Sequence, residues 1–388
     1  MLHSQTAMRF LLFNPENDLA LASASPHYTP PASALQMAAD LCDLPTLWAE
    51  DGDVVLHHLA PARARERMAA ALQQACAMSE HVEVSPWGWS PLIVRQLAEI
   101  GMPAALLPTA SQLHAYRRAA SRQTAVRLLQ RLRQEWTDAR VVGESTWCES
   151  MAEAEQAVAR YGAAMLKAPL SGSGRGVHPV AQPVMPERTR AWAERCLRTQ
   201  GGVECEPLYE RVADMAAEFW HSGTGLCHVA PCTAQGTQSA SLKYVGLSLF
   251  VTTEGGVYAG NLVCTEQAKR DIVASMLPRG IVEQACLRLQ RLLAEEAGIP
   301  EWYSGPVGVD MMVVRHGGEL CLHPLVEVNM RYTMGYVALC MTARRPVGAA
   351  PALWRIELAG GHYRQHMQPM DIATDLAEAF LALQGTKK

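Results

Sequence analysis

The sequence lacks any uninterrupted apolar stretch long enough to cross a membrane, and its 388 residues carry a formal net charge of only −4. A membrane-spanning helix needs about 20 consecutive apolar residues, so no transmembrane segment is expected. With so small a charge, no basic excess attracts nucleic acid or an anionic membrane surface. The opening residues MLHSQTAMRF also lack the charged and apolar regions of a secretory signal. These absences favour a cytoplasmic protein whose partners are small molecules.

Paired cysteines are missing as well. The eleven cysteines include no C-x-x-C pair, and Cys227 and Cys232 have no neighbouring pair that would complete a zinc site. We therefore expect reduced and mostly buried thiols. Internal repeats and low-complexity tracts are absent too. What remains is an ordinary composition, 49% hydrophobic and 19% charged, in a chain long enough for two or three compact units.

The first third of the chain alternates short apolar runs with amphipathic segments. Such alternation favours an open, mostly parallel sheet that binds ligands outside the carboxyl ends of its strands. Strands are predicted over 9–14, 53–59 and 81–86, and helices over 33–44, 64–78 and 90–101.

The residue pattern changes near residue 108, where a long arginine-rich helical stretch begins. From about residue 203 the chain becomes rich in predicted strands, and the last two of them flank Gly317-Gly318. Between these regions and after them, we predict a strand over 139–143, a helix over 150–161, a strand that ends at Lys167, and helices over 186–199 and 279–297.

The segment MLKAPLSGSGRGVHPV, residues 165–180, places three glycines on alternate positions shortly after a strand-ending lysine. Glycine's freedom in φ lets consecutive backbone N–H groups converge on an anion. A P-loop is excluded because Val177 and His178 stand where that motif needs Lys and then Ser or Thr. From these residues alone, a flexible surface hairpin and a phosphate-binding loop remain equally open.

Acidic residues interrupt two apolar strands near the carboxyl terminus. Glu327 and Asn329 share one face of their strand, because side chains alternate along it. A two-residue turn at Gly317-Gly318 would pair Asp310 with Leu325 and place Asp310 on that face, although Pro324 leaves the register open. Carboxylates in apolar strands need a cation, and such hard oxygen ligands suit Mg²⁺. The alternative is a pair of solvated strands.

The order of a lysine-ended strand, a glycine-rich loop, an acidic hinge and then D…E-x-N resembles the ATP-grasp superfamily over roughly residues 111–340. The resemblance implies an α/β domain with an open, mostly parallel sheet over 1–110, followed by an α+β ATP-grasp domain of two subdomains. The first subdomain would span 111–205 and carry the glycine-rich loop, and the second would span 206–388 and carry the hinge and the Mg²⁺ site. Whether the chain forms a homodimer is left open.

The resemblance also implies roles for individual residues. Lys167 would contact the α and β phosphates of ATP, Glu206 and the backbone near Leu208 would bind adenine, and Asp214 would bind the ribose. The flap over the phosphates would consist of Ser171, Gly172, Ser173, Gly174, Arg175 and Gly176. The Mg²⁺ ligands would be Asp310, Glu327 and Asn329, with Arg331 near the transferred group.

The sequence departs from the family pattern at one position. Many members carry an arginine two residues before the first metal-binding aspartate, and here that residue is Gly308. Lys243 or Arg331 would supply the missing catalytic charge, although Lys243 reads equally well as a surface lysine. A further cation is expected on the helix after the first domain, where the candidates are Arg117, Arg118 and Arg122, and we select Arg118.

Polar and aromatic residues after the first and third strands suggest a substrate site. Asn14, Glu16, Asn17 and Asp18 follow the first strand, where they would bind an amine or hydroxyl, or else form a turn that caps the next helix. Trp87 and Trp89 flank Gly88 and would form either an aromatic wall or part of the core.

The function implied by the resemblance is ATP-dependent ligation of a carboxylate to an amine or a thiol, with ATP and Mg²⁺ bound between the two subdomains. A small-molecule kinase on the same fold is the first alternative. A nucleotide-binding protein without catalysis is the second, although the intact D…E-x-N set argues against it. A dinucleotide-dependent oxidoreductase is disfavoured because NPEND, after the first strand, lacks a glycine turn for pyrophosphate.

Overall fold

The computed structural model describes most of the chain. The described residues are 8–57, 61–78, 82–172, 176–224, 241–253, 257–370 and 376–385. Within these ranges, no helix combines the length and the apolar character that crossing a membrane requires. Most of the cysteines whose side chains the structure describes are buried, as expected from the sequence.

The amino-terminal unit contains a three-stranded parallel sheet of order β2-β1-β3. Ser90 opens the last helix of this unit by accepting a hydrogen bond from the backbone N–H of Ile93. The strands are β1 (Met8–Leu12), β2 (Val54–Val55) and β3 (Val82–Pro86), and the helices are α1 (Asn17–Ser23), α2 (Ala32–Asp40), α3 (Pro61–Met78) and α4 (Pro91–Glu99).

The long helical stretch predicted from residue 108 is two helices, α5 (Ala110–Ala119) and α6 (Arg122–Glu135). The single-helix expectation was wrong because Ser121, in extended conformation, caps α6 with its hydroxyl. The strand predicted over 139–143 is also absent, since Val141 forms only an isolated bridge with Leu322.

A four-stranded antiparallel sheet of order β4-β7-β5-β6 follows. Its strands are β4 (Thr146–Cys148), β5 (Ala164–Lys167), β6 (Val177–Val180) and β7 (Val203–Pro207), with helices α7 (Met151–Tyr161) and α8 (Glu187–Gln200). Strand β7 runs across the predicted subdomain boundary at 205/206, and the boundaries themselves stay predictions.

The third sheet has seven antiparallel strands in the order β12-β11-β8-β9-β10-β13-β14. Its strands are β8 (Glu210–Ser222), β9 (Ser241–Thr252), β10 (Tyr258–Val263), β11 (Gly305–His316), β12 (Glu319–Asn329), β13 (Ala352–Ala359) and β14 (His362–Pro369). The helices in this part of the chain are α9 (Glu266–Ala274), α10 (Ile281–Glu296), α11 (Met334–Arg344) and α12 (Leu376–Gly385). A parallel sheet followed by antiparallel sheets with helices confirms the predicted fold class.

The core follows the predicted apolar faces. Helix α10 buries Leu289, Leu292 and Leu293, which lie on one side of the helix at three- and four-residue spacing. They join a hydrophobic cluster that also contains Phe10 of β1 and Val309 of β11. The amino-terminal sheet and the seven-stranded sheet therefore share one continuous core.

The hairpin of β11 and β12 has a register that the sequence did not predict. Near the turn, Met312 pairs with His323, but Asp310 pairs with Glu327 rather than with Leu325. The ladder shifts by two residues around Pro324, which has no N–H to donate. Because the shift is an even number, Asp310 and Glu327 still share a face, and the two carboxylates become direct cross-strand neighbours.

Candidate functional site

A cavity of about 720 Å³ is lined by residues of the two antiparallel sheets and by helix and loop residues of the amino-terminal unit. Asp18 and Trp87 come from the amino-terminal unit, and Lys167 from the four-stranded sheet, while Asp214 and Asp310 belong to the seven-stranded sheet. Some of the residues predicted to bind nucleotide, metal and substrate therefore line one cavity.

Lys167 lies at the end of β5 and is only 5% exposed. Its Nζ is 2.8 Å from Glu206 Oε1 and 3.6 Å from Glu204 Oε1, both on β7. Burial alone would lower the pKa of Lys167, but the two glutamates reverse that effect and raise it. The lysine is therefore held as a fixed positive charge at the wall of the cavity.

Glu206 is equally buried, and two features of its surroundings have opposite effects on its pKa. Burial raises its pKa, while the ammonium group of Lys167 acts to lower it. Its Oε2 has no hydrogen-bond partner among the described residues. Leu208 and Asp214 line the same cavity. The Asp214 carboxylate accepts a hydrogen bond of 2.8 Å from Thr252 Oγ1.

The glycine-rich loop closes at its base with a hydrogen bond of 2.8 Å from the Ala168 N–H to the Gly176 carbonyl. Gly176 has a φ of +83°, and a Cβ there would lie 2.9 Å from the Cβ of Ser171, so this position requires glycine. Ser171 lines the cavity, and a Cβ on Gly172 would lie 3.2 Å from Asp18 Oδ2. Ser173, Gly174 and Arg175 lie outside the described residues.

Arg122, the first residue of α6, is the buried cation that the selection of Arg118 missed. It donates to the Ala168 carbonyl at 2.6 Å and to Ser171 Oγ at 2.7 Å. It also donates to Glu327 Oε2 at 2.6 Å, with Glu204 3.7 Å away. Arg118 is exposed and does not line the cavity, because the chain turns at Ser121 and only the second helix points its first residue inward.

Asp310, Glu327 and Asn329 line the cavity together. Burial raises the pKa of Asp310 to about 8, with the neighbouring carboxylates of Glu327 and Glu218 adding to the effect. Arg331 donates to Asn329 Oδ1 at 3.0 Å and to Asp18 Oδ1 at 2.8 Å. The three side chains predicted as ligands thus lie on one surface of the cavity. Arg122 contacts Glu327, and Arg331 contacts Asn329.

These side chains fit Mg²⁺. Two carboxylates that face each other across a ladder, together with a carboxamide oxygen, form a set of hard oxygen ligands. A bound cation would also relieve the repulsion that raises the pKa of Asp310.

Glu218, four residues after Asp214 on β8, was missed by the sequence analysis. It is fully buried and lines the cavity, and burial raises its pKa to about 7. Thr333 Oγ1 donates to its Oε1 at 2.7 Å. Because 214, 216 and 218 alternate onto one face of the strand, the period of the β-strand could have identified it.

The predicted substrate residues divide between the cavity and the core. Asp18 and Trp87 line the cavity, whereas Trp89 is buried against Trp302 with ring centroids 6.1 Å apart. Asn14 exchanges two hydrogen bonds with the backbone of Gly88 and so ties two loops together. The aromatic-wall interpretation of Trp89 was therefore wrong, because its ring points into the core.

Two other predicted residues lie outside the described lining of the cavity. Glu16 is buried at the start of α1, and burial raises its pKa. Lys243 is exposed near the start of β9, opposite Trp220 on β8, while its neighbour Leu242 is buried. Strand alternation thus turns Lys243 toward solvent, which leaves Arg331 as the remaining candidate for the catalytic charge.

No protein-family model matches the chain, and no curated protein matches it. Among solved structures, it is similar to N5-carboxyaminoimidazole synthetase from Staphylococcus aureus complexed with ADP, at 10% identity and a TM-score of 0.47, covering 100% of this chain and 99% of that chain. A carboxyaminoimidazole ribonucleotide synthase from Aspergillus clavatus, complexed with ATP, has 11% identity and a TM-score of 0.44, with 99% of each chain covered.

Biotin carboxylase from Campylobacter jejuni, also in a nucleotide complex, has 12% identity and a TM-score of 0.44, covering 89% of this chain and 75% of that one. These neighbours are ATP-grasp enzymes, the superfamily whose motif order the sequence resembles. With TM-scores below 0.5, the likenesses assign neither a reaction nor a residue role to this chain.

Replacing Arg122 tests whether it is the buried structural cation. Arg122→Met should lower the free energy of unfolding by about 3–5 kcal/mol, because it leaves the carboxylates of Glu204 and Glu327 without their partner. The matched control is Arg118→Met in the preceding helix, which should change stability by no more than about 0.5 kcal/mol because Arg118 is exposed. Urea denaturation at pH 7 measures both, and equal losses would contradict the assignment.

The buried carboxylates also predict a pH dependence of stability. The pKa of Asp310 is about 8 and that of Glu218 about 7, so the folded chain binds more protons than the unfolded chain. Their contribution is complete below the unfolded pKa values and is lost as the pH rises through 7 to 8. Buried His323, whose pKa is lowered to about 3, acts in the opposite direction, but only below its ordinary value of 6.5.

In EDTA, the free energy of unfolding should therefore fall between pH 6.5 and pH 8.5, by about 1–2 kcal/mol for Asp310 alone. Asp310→Asn should make the fall smaller and leave the part that is due to Glu218, whereas Glu319→Gln, which alters an exposed carboxylate on β12, should leave the profile unchanged. A profile that stays flat in the wild type would contradict the raised pKa values.

Proposed function

We propose that the chain is an ATP-grasp enzyme that uses Mg-ATP to join a carboxylate to an amine or a thiol. One observation supports this most strongly: Lys167, the base of the glycine-rich loop and the Asp310–Glu327–Asn329 set line a single cavity of about 720 Å³. A site that combines a fixed cation, a glycine-rich loop and hard oxygen ligands has the chemistry needed to hold a nucleotide phosphate chain with its metal.

In this proposal, the nucleotide lies between the four-stranded and seven-stranded sheets. Lys167 would neutralise phosphate charge, and the loop from Ser171 to Gly176 would cover the phosphates. Glu206 and the backbone near Leu208 would form hydrogen bonds with the adenine. Asp214 would accept hydrogen bonds from the ribose hydroxyls. The support is that Lys167, Ser171, Glu206, Leu208 and Asp214 all line the cavity.

The Asp310, Glu327 and Asn329 side chains would hold Mg²⁺. When bound, Mg-ATP would supply the phosphoryl group that converts a carboxylate into an acylphosphate, from which an amine or thiol displaces phosphate. Arg331, fixed by Asp18 and Asn329, would orient the carboxylate and neutralise developing charge beside it. The contribution of the protein is positioning and preorganised charge.

Nucleotide binding is tested by the shift in melting temperature that Mg-ATP causes. At a hundredfold excess over Kd, the ligand should stabilise the wild type by about 2.7 kcal/mol. Lys167→Ala and Glu327→Ala should each abolish the shift, measured against the same variant without nucleotide, whereas Lys243→Ala should keep it because Lys243 is exposed. A wild type that shows no shift would refute the proposal.

The reaction class is tested by hydroxylamine trapping in an ADP-release screen over small carboxylates. A ligase should release ADP and form a hydroxamate in equal amounts, because hydroxylamine captures the acylphosphate, and Lys167→Ala should form neither. ADP release with a stable phosphorylated product would indicate the small-molecule kinase instead. Nucleotide binding without ADP release over the whole panel would favour the non-catalytic alternative.

A further inference from the structure

Glu218 and Asn261, two residues of the cavity lining, each carry a buried acceptor without a hydrogen-bond partner among the described residues. Glu218 is 0% exposed and Asn261 is 1% exposed, and both line the cavity. Glu218 Oε2 and Asn261 Oδ1 have no hydrogen-bond partner among the described residues. Buried acceptors without donors are costly, so this region is shaped for a ligand that brings hydrogen-bond donors.

Ser248 links the two side chains. Its Oγ accepts a hydrogen bond of 2.7 Å from Asn261 Nδ2, which leaves the amide oxygen free. A Cβ on Gly335 would collide with Glu218 Oε1 and would lie 2.6 Å from Ser248 Oγ, so both oxygens converge on the backbone of this glycine. The carboxylate and the amide are therefore parts of one polar cluster at the wall of the cavity.

A second glycine lies directly beside the unpartnered carboxylate oxygen. Gly308 lies opposite Glu218 in the ladder between β8 and β11, and a Cβ there would be 3.0 Å from Glu218 Oε2. Larger side chains at Gly308 or Gly335 would cover or displace the carboxylate.

No cation of the described chain neutralises this carboxylate by direct contact. Lys269 and Arg331 act on Glu218 through their fields, but no ion pair within 4.0 Å joins either of them to it in the described ranges. An uncompensated buried carboxylate is expensive unless a cation reaches it. A ligand that carries both positive charge and several N–H donors satisfies the charge and the acceptors at once.

We propose that Glu218 and Asn261 form the subsite for the nucleophile and that the nucleophile is a primary amine, bound through its ammonium group. This inference rests on the proposed ligase function and narrows its acceptor from an amine or thiol to an amine. A thiol offers one weak donor, whereas an ammonium group offers three strong ones. Along β8, Glu218 lies about 13 Å from Asp214, at 3.3 Å per residue, so the subsite is well separated from the proposed ribose position.

The test is direct binding of small probes to the full chain in the presence of Mg-ADP, measured by saturation-transfer NMR. Propylammonium should bind, while propanethiol and tetramethylammonium, which lack three N–H donors, should give no saturable signal. Glu218→Gln should weaken propylammonium binding at least tenfold. The matched control, Glu210→Gln, alters an exposed glutamate of the same strand and should leave binding unchanged.

Equal binding of propylammonium to the wild type and Glu218→Gln would overturn the subsite, as would tight binding of propanethiol or displacement of the amine by K⁺ at equal ionic strength. The comparison among the three probes in the wild type requires no variant, so it stands even if Glu218→Gln does not fold. The melting shift with Mg-ATP, measured on the same protein preparations without Mg-ADP, separates the two proposals. A shift without amine binding refutes only the subsite, and amine binding without a shift refutes only the ligase.

Discussion

The arrangement of the site depends on the buried ion pairs of Arg122. Its guanidinium group bonds the strand end and the loop at Ala168 and Ser171, and it contacts Glu327 of the seven-stranded sheet, with Glu204 of the four-stranded sheet nearby. One side chain thus ties the start of a helix to both antiparallel sheets. A buried pair of this kind adds little net stability compared with an apolar substitute, but removing one partner is costly. Its consequence here is geometric, because it fixes the glycine-rich loop relative to the acidic strands.

Around this arginine the charges alternate rather than cluster. Lys167 lies between Glu204 and Glu206, and Arg331 lies between Asp18 and Asn329. Lys167 of β5 is held by glutamates of β7, and Arg331 is held by Asp18 of α1 and Asn329 of β12. Both cations are therefore already in position when an anionic ligand binds. Two acidic groups have no such partner. Asp310 and Glu218 have no direct cationic contact in the described residues, and burial raises the pKa of each. Charges that are preorganised in this way need little rearrangement when a charged ligand binds.

Two glycines pack directly against the buried carboxylate of Glu218. Gly308 and Gly335 flank the Glu218 carboxylate, and a Cβ at either position would crowd it. Gly308 also stands where the family pattern places an arginine, which the sequence analysis treated as a missing charge. In the structure this position lies against the buried carboxylate of Glu218 and the methyl group of Thr333, so a larger side chain would not fit without displacing them.

The sequence by itself determined most of the strands and helices, the alternation that places Glu327 and Asn329 on one face, and the order of motifs from Lys167 to Arg331. Those features are local, since they follow from the two-residue period of a strand and from glycine's backbone freedom. The choice of Arg122 over Arg118 needed the turn at Ser121, and the pairing of Asp310 with Glu327 needed the register shift at Pro324. Only the tertiary structure brought Glu218 and Asn261 together and turned Lys243 outward, because these outcomes depend on which strands become neighbours and which face packs on the core.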